Sequence, residues 1–153
     1  MIRTDRRMRL CAVLLVMNLC FIWGNSLLPG EVSGAFSDWV KQLLTAVFGS
    51  LGPEDSGGGL LRKFAHFSEF AALGLLLSWL FGMLRKKKFW PFLCGFLTAC
   101  TDETIQRFVP QRGPSVWDVL LDTGGVLVGM LLLYAGHTVL KKRNLIPKEE
   151  NEL

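Results

Sequence analysis

The sequence predicts an all-α, polytopic membrane protein of four transmembrane helices with an amphipathic interfacial helix on their outer side. Three observations carry that prediction. Of 153 residues, 50% are hydrophobic and 20% charged, with a mean hydropathy of +0.35, against about 25% charged residues in soluble domains. Four apolar runs are each about twenty residues long, the length that crosses a hydrocarbon core of about 30 Å. The Lys and Arg residues fall in tight runs that bracket those stretches, as topology signals do. The length suits a single domain over 1–153.

The first span is expected at 10–28, preceded by Arg3, Arg6, Arg7 and Arg9. This resembles the charged and apolar regions of a signal peptide. However, Trp23-Gly24-Asn25-Ser26 is not a small-x-small cleavage site, and Met17-Asn18-Leu19-Cys20 is a poor lipoprotein box, so the run reads as an uncleaved helix. Over 35–51, Phe36, Trp39, Val40, Leu43, Leu44, Val47 and Leu51 recur at three- and four-residue steps with polar residues between them, which predicts an amphipathic helix. Two placements fit it: flat in the interface, or packed as a cap over the bundle. Gly52-Pro53 through Gly57-Gly58-Gly59 reads as a linker.

Spans at 64–84, 89–108 and 116–140 follow, separated by Arg85-Lys86-Lys87-Lys88 and by a Pro-Gly turn at 109–114. The charged tail at 146–153 reads as disordered. Placing the N-terminus in the cytoplasm puts twelve basic residues inside: Arg3, Arg6, Arg7, Arg9, Arg85, Lys86, Lys87, Lys88, Lys141, Lys142, Arg143 and Lys148. Five remain at the outer side: Lys41, Arg62, Lys63, Arg107 and Arg112. The positive-inside rule therefore predicts that both termini are cytoplasmic. The net charge of +4 suits anionic lipid headgroups, and the absence of any nucleic-acid motif excludes DNA and RNA as partners. Cys11, Cys20, Cys94 and Cys100 lie in apolar segments without Cys-x-x-Cys spacing and read as small core residues.

Ionisable residues inside a span cost about 2.5–3.5 kcal/mol each at the bilayer centre, so they need partners, water or a task. Here the second span holds His66 and Glu69, the third Asp102, Glu103, Gln106 and Arg107, and the fourth Asp118 and Asp122. Glu69, Glu103 and Asp122 each lie about a turn and a half from the outer end of their helix, which places all three at one depth. They also share inward faces. Asp118 and Asp122 continue into Gly125 and Gly129, and Glu103 runs back to Ala99 and Gly95, small-residue stripes suited to close helix contact. Glu103 and Arg107 stand at i, i+4, and Arg107 could be their structural ion pair or a ligand-holding group.

These residues also carry a family resemblance. Arg62-Lys63-Phe64-Ala65-His66-Phe67-Ser68-Glu69 resembles the first motif of VanZ-like membrane proteins. From Asp102 through Gly125 the chain follows that family's second pattern, D-E-x-x-Q-x-F-x-P-x-R, a short spacer, then D-x-x-x-N/D-T-x-G. Asp122 stands where many members have Asn, and Ser26 resembles a serine often found where the first helix ends. The resemblance implies a multi-pass protein of the bacterial cell membrane, in a family whose prototype is tied to low-level resistance to teicoplanin. It implies no settled reaction.

Two functions are compatible with this pattern. In the first, a membrane-embedded enzyme acts at the outer leaflet on a membrane lipid headgroup or a lipid-linked cell-wall precursor. His66, Glu69, Asp102, Glu103 and Asp118 are then the catalytic candidates, with Glu103 or Glu69 as general base and His66 sharing the proton transfer. Lys63, Gln106, Arg107, Arg112 and Asp122 are the substrate-binding candidates, the arginines matching phosphate or carboxylate bidentately. Asp118 and Asp122 could hold a divalent cation, and one His among carboxylates would suit Mg²⁺ or Ca²⁺ better than Zn²⁺. In the second function, the same pocket only binds a cell-wall precursor, an antibiotic or a partner protein. Transport is disfavoured, because the inner halves of the spans are apolar.

Overall fold

The computed structural model describes residues 2–48 and 59–142, and over these the chain is all α-helix. Its elements are α1 (Ile2–Ser26), α2 (Gly30–Phe48), α3 (Gly59–Met83), α4 (Phe89–Gln106) and α5 (Val116–Lys142). Each expected helix is present. The 52–58 part of the expected linker, the end of the amphipathic helix at 49–51 and the tail at 146–153 lie outside the described residues.

Local chemistry explains the boundaries. α1 stops before Pro29, whose carbonyl accepts from Ser33 N at 3.1 Å and so opens α2. The amphipathic helix therefore begins at Gly30, ahead of the apolar periodicity that starts near Ala35. α3 ends in a Schellman arrangement: Lys86 N donates to Phe81 O at 2.9 Å and Arg85 N to Gly82 O at 3.1 Å, with Arg85 in the left-handed region at φ 51. Pro91 sits in the first turn of α4, where its missing N–H has no intrahelical partner to lose. The carbonyl of Ser115 accepts from Asp118 N and Val119 N and starts α5.

α3 packs most extensively on α5; α1 lies against α3, and α4 against α5 and α3. The core is thin: Ile22, Phe70, Leu73, Leu77, Ala99, Val126 and Met130. Many larger apolar side chains point outward, among them Val13, Val16, Met17 and Phe21 on α1, Leu97 on α4, and Leu120, Leu127 and Leu131 on α5. Apolar residues outside with small and polar residues inside is the arrangement that lipid solvation favours.

By length and composition Arg6–Ser26, Leu61–Met83 and Val116–Lys141 are apolar enough to cross a membrane, the pattern of a multi-pass membrane protein. Where the sequence predicts four such helices, three among the described residues meet that standard. α4 has 18 residues, and Asp102, Glu103 and Gln106 in its final turns lower its hydropathy.

The helices interlock through small residues, as the two stripes predict. A Cβ at Gly129 would strike the carbonyl oxygen of Ala71, and one at Gly125 the carbonyl oxygen of Phe67, so α5 lies directly on the backbone of α3. Gly74 receives the Val126 backbone and Gly95 the Val126 side chain, wedging that valine between α3 and α4.

Candidate functional site

Four helix ends meet at one end of the bundle: the last turn of α1, the first turns of α3 and α5, and the last turns of α4. Asp102 is wholly buried there. Its Oδ1 accepts from Ser26 Oγ at 2.6 Å and its Oδ2 from Gln106 Nε2 at 2.8 Å, and the same amide reaches Ser26 Oγ at 3.3 Å. This triangle joins α1 to α4. Glu69 is fixed by α1 as well: Asn25 Nδ2 donates to its Oε1 at 3.2 Å, and Asn18 Nδ2 to its backbone carbonyl at 3.4 Å.

The remaining atoms of this cluster are less committed. His66 Nδ1 and Glu69 Oε2 are 3.9 Å apart, too far for a hydrogen bond but within reach of a proton relayed by a small shift or one water. Both atoms are buried without a hydrogen-bond partner, and so is Asp122 Oδ1. His66, Asp102 and Asp122 each bring a ligand atom within 4.8 Å of the others. Asp118 and Asp122, which by spacing could hold a divalent cation together, part company: Asp122 turns toward His66 and Asp102. Asp118 faces Lys63, with Nζ to Oδ1 at 3.7 Å.

Two further expectations change. Glu103 is 5% exposed and its Oε2 accepts from Ser115 N at 2.8 Å, so it holds the start of α5 and is poorly placed as a free base. Arg107, expected to bind substrate or pair with Glu103, is exposed and makes no ion pair among the described residues. The i, i+4 spacing brought it near Glu103 in sequence, but Glu103 turns into the bundle while Arg107, just past the helix end, turns out.

Arg112 does join the cluster. Its guanidinium donates to the carbonyl of Asn25 at 3.1 Å, and its Nε is buried without a partner. Burial first, then the neighbouring Arg62, pulls its pKa below the ordinary value, while Asp102, Glu103 and Glu69 act the other way; it stays charged. With Arg62 and Lys63 it contributes positive charge at this end. A cavity of about 20 Å³, bordered by Arg62, Lys63 and Asp118 and reaching His66, Glu103, Gln106 and Asp122, has room for a single water or ion.

The arrangement thus combines buried acids, an imidazole and guanidinium groups, the donor set for proton transfer beside an anion. Sequence reading gave no role to Asn18 or Asn25, noted Ser26 only through the family resemblance, and used Arg62 only in the charge topology and the family motif. A signal was present: Asn18, Asn25 and Ser26 are polar residues on one side of an apolar span, at the spacing of buried Ile22. Residues 10–140 match the VanZ/LLP1 family. Comparison with curated proteins and with solved structures gives no significant match.

Proposed function

The chain belongs to the VanZ-like family, a family associated with antibiotic resistance, and from that premise we propose that it acts at the outer face of a bacterial cell membrane on a lipid headgroup or lipid-linked cell-wall intermediate. α1, α3, α4 and α5 then all span, with both termini cytoplasmic and α2 resting in the outer interface. α4 fits as the fourth span because its 18 residues extend about 27 Å and its polar atoms are gathered at one end.

The observation that carries the reading is the pair His66 and Glu69, each with a buried unpartnered atom, of which His66 borders a cavity edged by Arg62 and Lys63. Arg62, Lys63 and Arg112 hold the anionic group; Glu69 takes or gives a proton, with His66 as its neighbour. A cavity of about 20 Å³ admits only one substituent of a headgroup, so the rest of the substrate lies against the rim or the lipid.

Comparing lipids and wall precursors of knockout cells with cells complemented by wild type or by Glu69→Gln tests this. Accumulation of one species, relieved by wild type and not by Glu69→Gln, is expected. A Glu69→Gln variant at normal abundance that restores both the lipid profile and the resistance phenotype rules out Glu69 as the proton-transfer group. The second reading, a binder, draws on the many polar atoms already engaged with one another, such as the Ser26–Asp102–Gln106 triangle; it predicts unchanged lipids in every strain. Orientation is checked by cysteine labelling from outside, with reaction expected at Gln111 and none at Lys87; the reverse result inverts the topology.

A further inference from the structure

Two of the deepest side chains at this end, Asp102 and Asp122, have no task in the headgroup reading, and His66 beside them enters it only as the neighbour of Glu69. Asp122 is 2% exposed, His66 8% and Asp102 0%. Asp122 Oδ1 and His66 Nδ1 have no hydrogen-bond partner, and native proteins seldom leave such atoms unmet by a water, ion or ligand. Among the described residues no ion pair or hydrogen bond joins a Lys or Arg to either atom: Lys63 lies 3.7 Å from Asp118, and Arg112 donates to the carbonyl of Asn25.

We propose that His66, Asp102 and Asp122 bind one divalent cation, and that Mn²⁺ is the ion their chemistry suits best. Their ligand atoms lie within 4.8 Å of one another. Metal–ligand bonds of about 2.0–2.6 Å set three ligands of one ion about 3–4.5 Å from one another, so atoms within 4.8 Å of one another need only small shifts to share a centre. Two carboxylates balance a double positive charge. By formal count the wider cluster agrees: five carboxyl groups (Glu69, Asp102, Glu103, Asp118, Asp122) stand near three cationic side chains (Arg62, Lys63, Arg112).

The supporting groups also suit a metal site. Asp102 is oriented by Ser26 and Gln106 through separate oxygens, the outer-shell bonding that fixes metal-ligating carboxylates. The adjoining cavity, which His66 and Asp122 border, has room for a water on the ion's open side. One imidazole with two carboxylates has more nitrogen character than the all-oxygen sets of Ca²⁺ and Mg²⁺ and fewer imidazoles than the His-rich sets of catalytic Zn²⁺, which makes Mn²⁺ the closest match.

The site stands on this geometry without the headgroup reading, and its test uses no lipid substrate. The full chain, purified in detergent and stripped with EDTA, is titrated with MnCl₂ and followed by electron paramagnetic resonance. One bound Mn²⁺ per chain is expected, displaced by excess Mg²⁺, with a nitrogen coupling from His66 that disappears in His66→Gln. Asp122→Asn weakens binding by tenfold or more, and Ser26→Ala, which frees Asp102, by about tenfold. Arg107→Ala leaves it unchanged. Circular dichroism of each variant confirms that it remains folded. Because a buried variant can misfold, the nitrogen coupling in wild type is decisive by itself. Bound Mn²⁺ without it overturns the assignment to these residues. A folded wild-type chain that binds none of Mn²⁺, Mg²⁺ or Zn²⁺ overturns the site and leaves a shared proton between the two aspartates as the occupant.

Discussion

The polar end and the middle of the helix bundle are joined by different chemistry. At the end holding Asp102, helices meet through directional polar contacts: Ser26 to Asp102, Asn25 to Glu69, and Ser115 to Glu103. Farther along the same helices they meet through Gly74, Gly95, Gly125 and Gly129, with Val126 and Ala71 pressed into the spaces. In lipid there is little hydrophobic drive between helices, so close van der Waals fit supplies the association and polar contacts refine it. Small-residue packing should therefore govern stability, while polar groups should govern function and cost less when removed conservatively.

Substitutions in both regions test that division. The largest effect is expected at Gly129→Leu, whose side chain would collide with the backbone of Ala71 and force α5 off α3. A loss of about 3 kcal/mol or more is expected, read as a drop in unfolding midpoint in mixed micelles. Gly136→Leu on the same helix meets nothing within 4 Å and should change stability by no more than about 0.5 kcal/mol. Equal effects at the two positions would show that the fit does not drive assembly.

Next comes Asp102→Ala. It strands the buried Ser26 hydroxyl and the Gln106 amide, with an expected cost of about 2–3 kcal/mol in the same unfolding measurement. Asp102→Asn, which retains an acceptor, should cost less. A polar-end loss as large as that of Gly129→Leu would erase the distinction between the two regions.

Smaller still is Glu69→Gln, which keeps the acceptor for Asn25; its stability should stay within about 1 kcal/mol of wild type while complementation in the resistance assay fails. Lys63→Ala breaks a pair whose lysine side chain is 54% exposed, and a change of about 0–1 kcal/mol, shrinking as salt is added, is expected. Smallest is Arg107→Ala, at no more than about 0.5 kcal/mol with full complementation, since that side chain faces away from the cluster.

Apolar run length and small-residue spacing made the long helices and their contact faces legible, because both follow from the 3.6-residue period. Gly125 and Gly129 lie against α3 as that period requires. Spacing within one helix does not tell how neighbouring helices are rotated, and this is why Asp122 was assigned to Asp118 when it faces His66 and Asp102. The structural part that Glu103 plays was hidden for a different reason. Its partner is a backbone N–H at Ser115, presented by a turn in which Gln111 adopts a φ of 60, and a backbone donor leaves no trace in residue identity. α2 was placed too late because its first turn, Gly30 to Ser33, depends on the Pro29 carbonyl instead of on apolar spacing.

The close fit of α3 to α5, with α4 between them in the chain, has a consequence for how the protein is made. A ribosome delivers His66 and Glu69 well before it delivers Asp122 and the glycines that seat α5. Until α5 arrives, nothing covers the α3 face that carries Phe67 and Ala71. The last helix to be made is thus the one that closes the bundle, bringing Asp122 to His66 and Asp102.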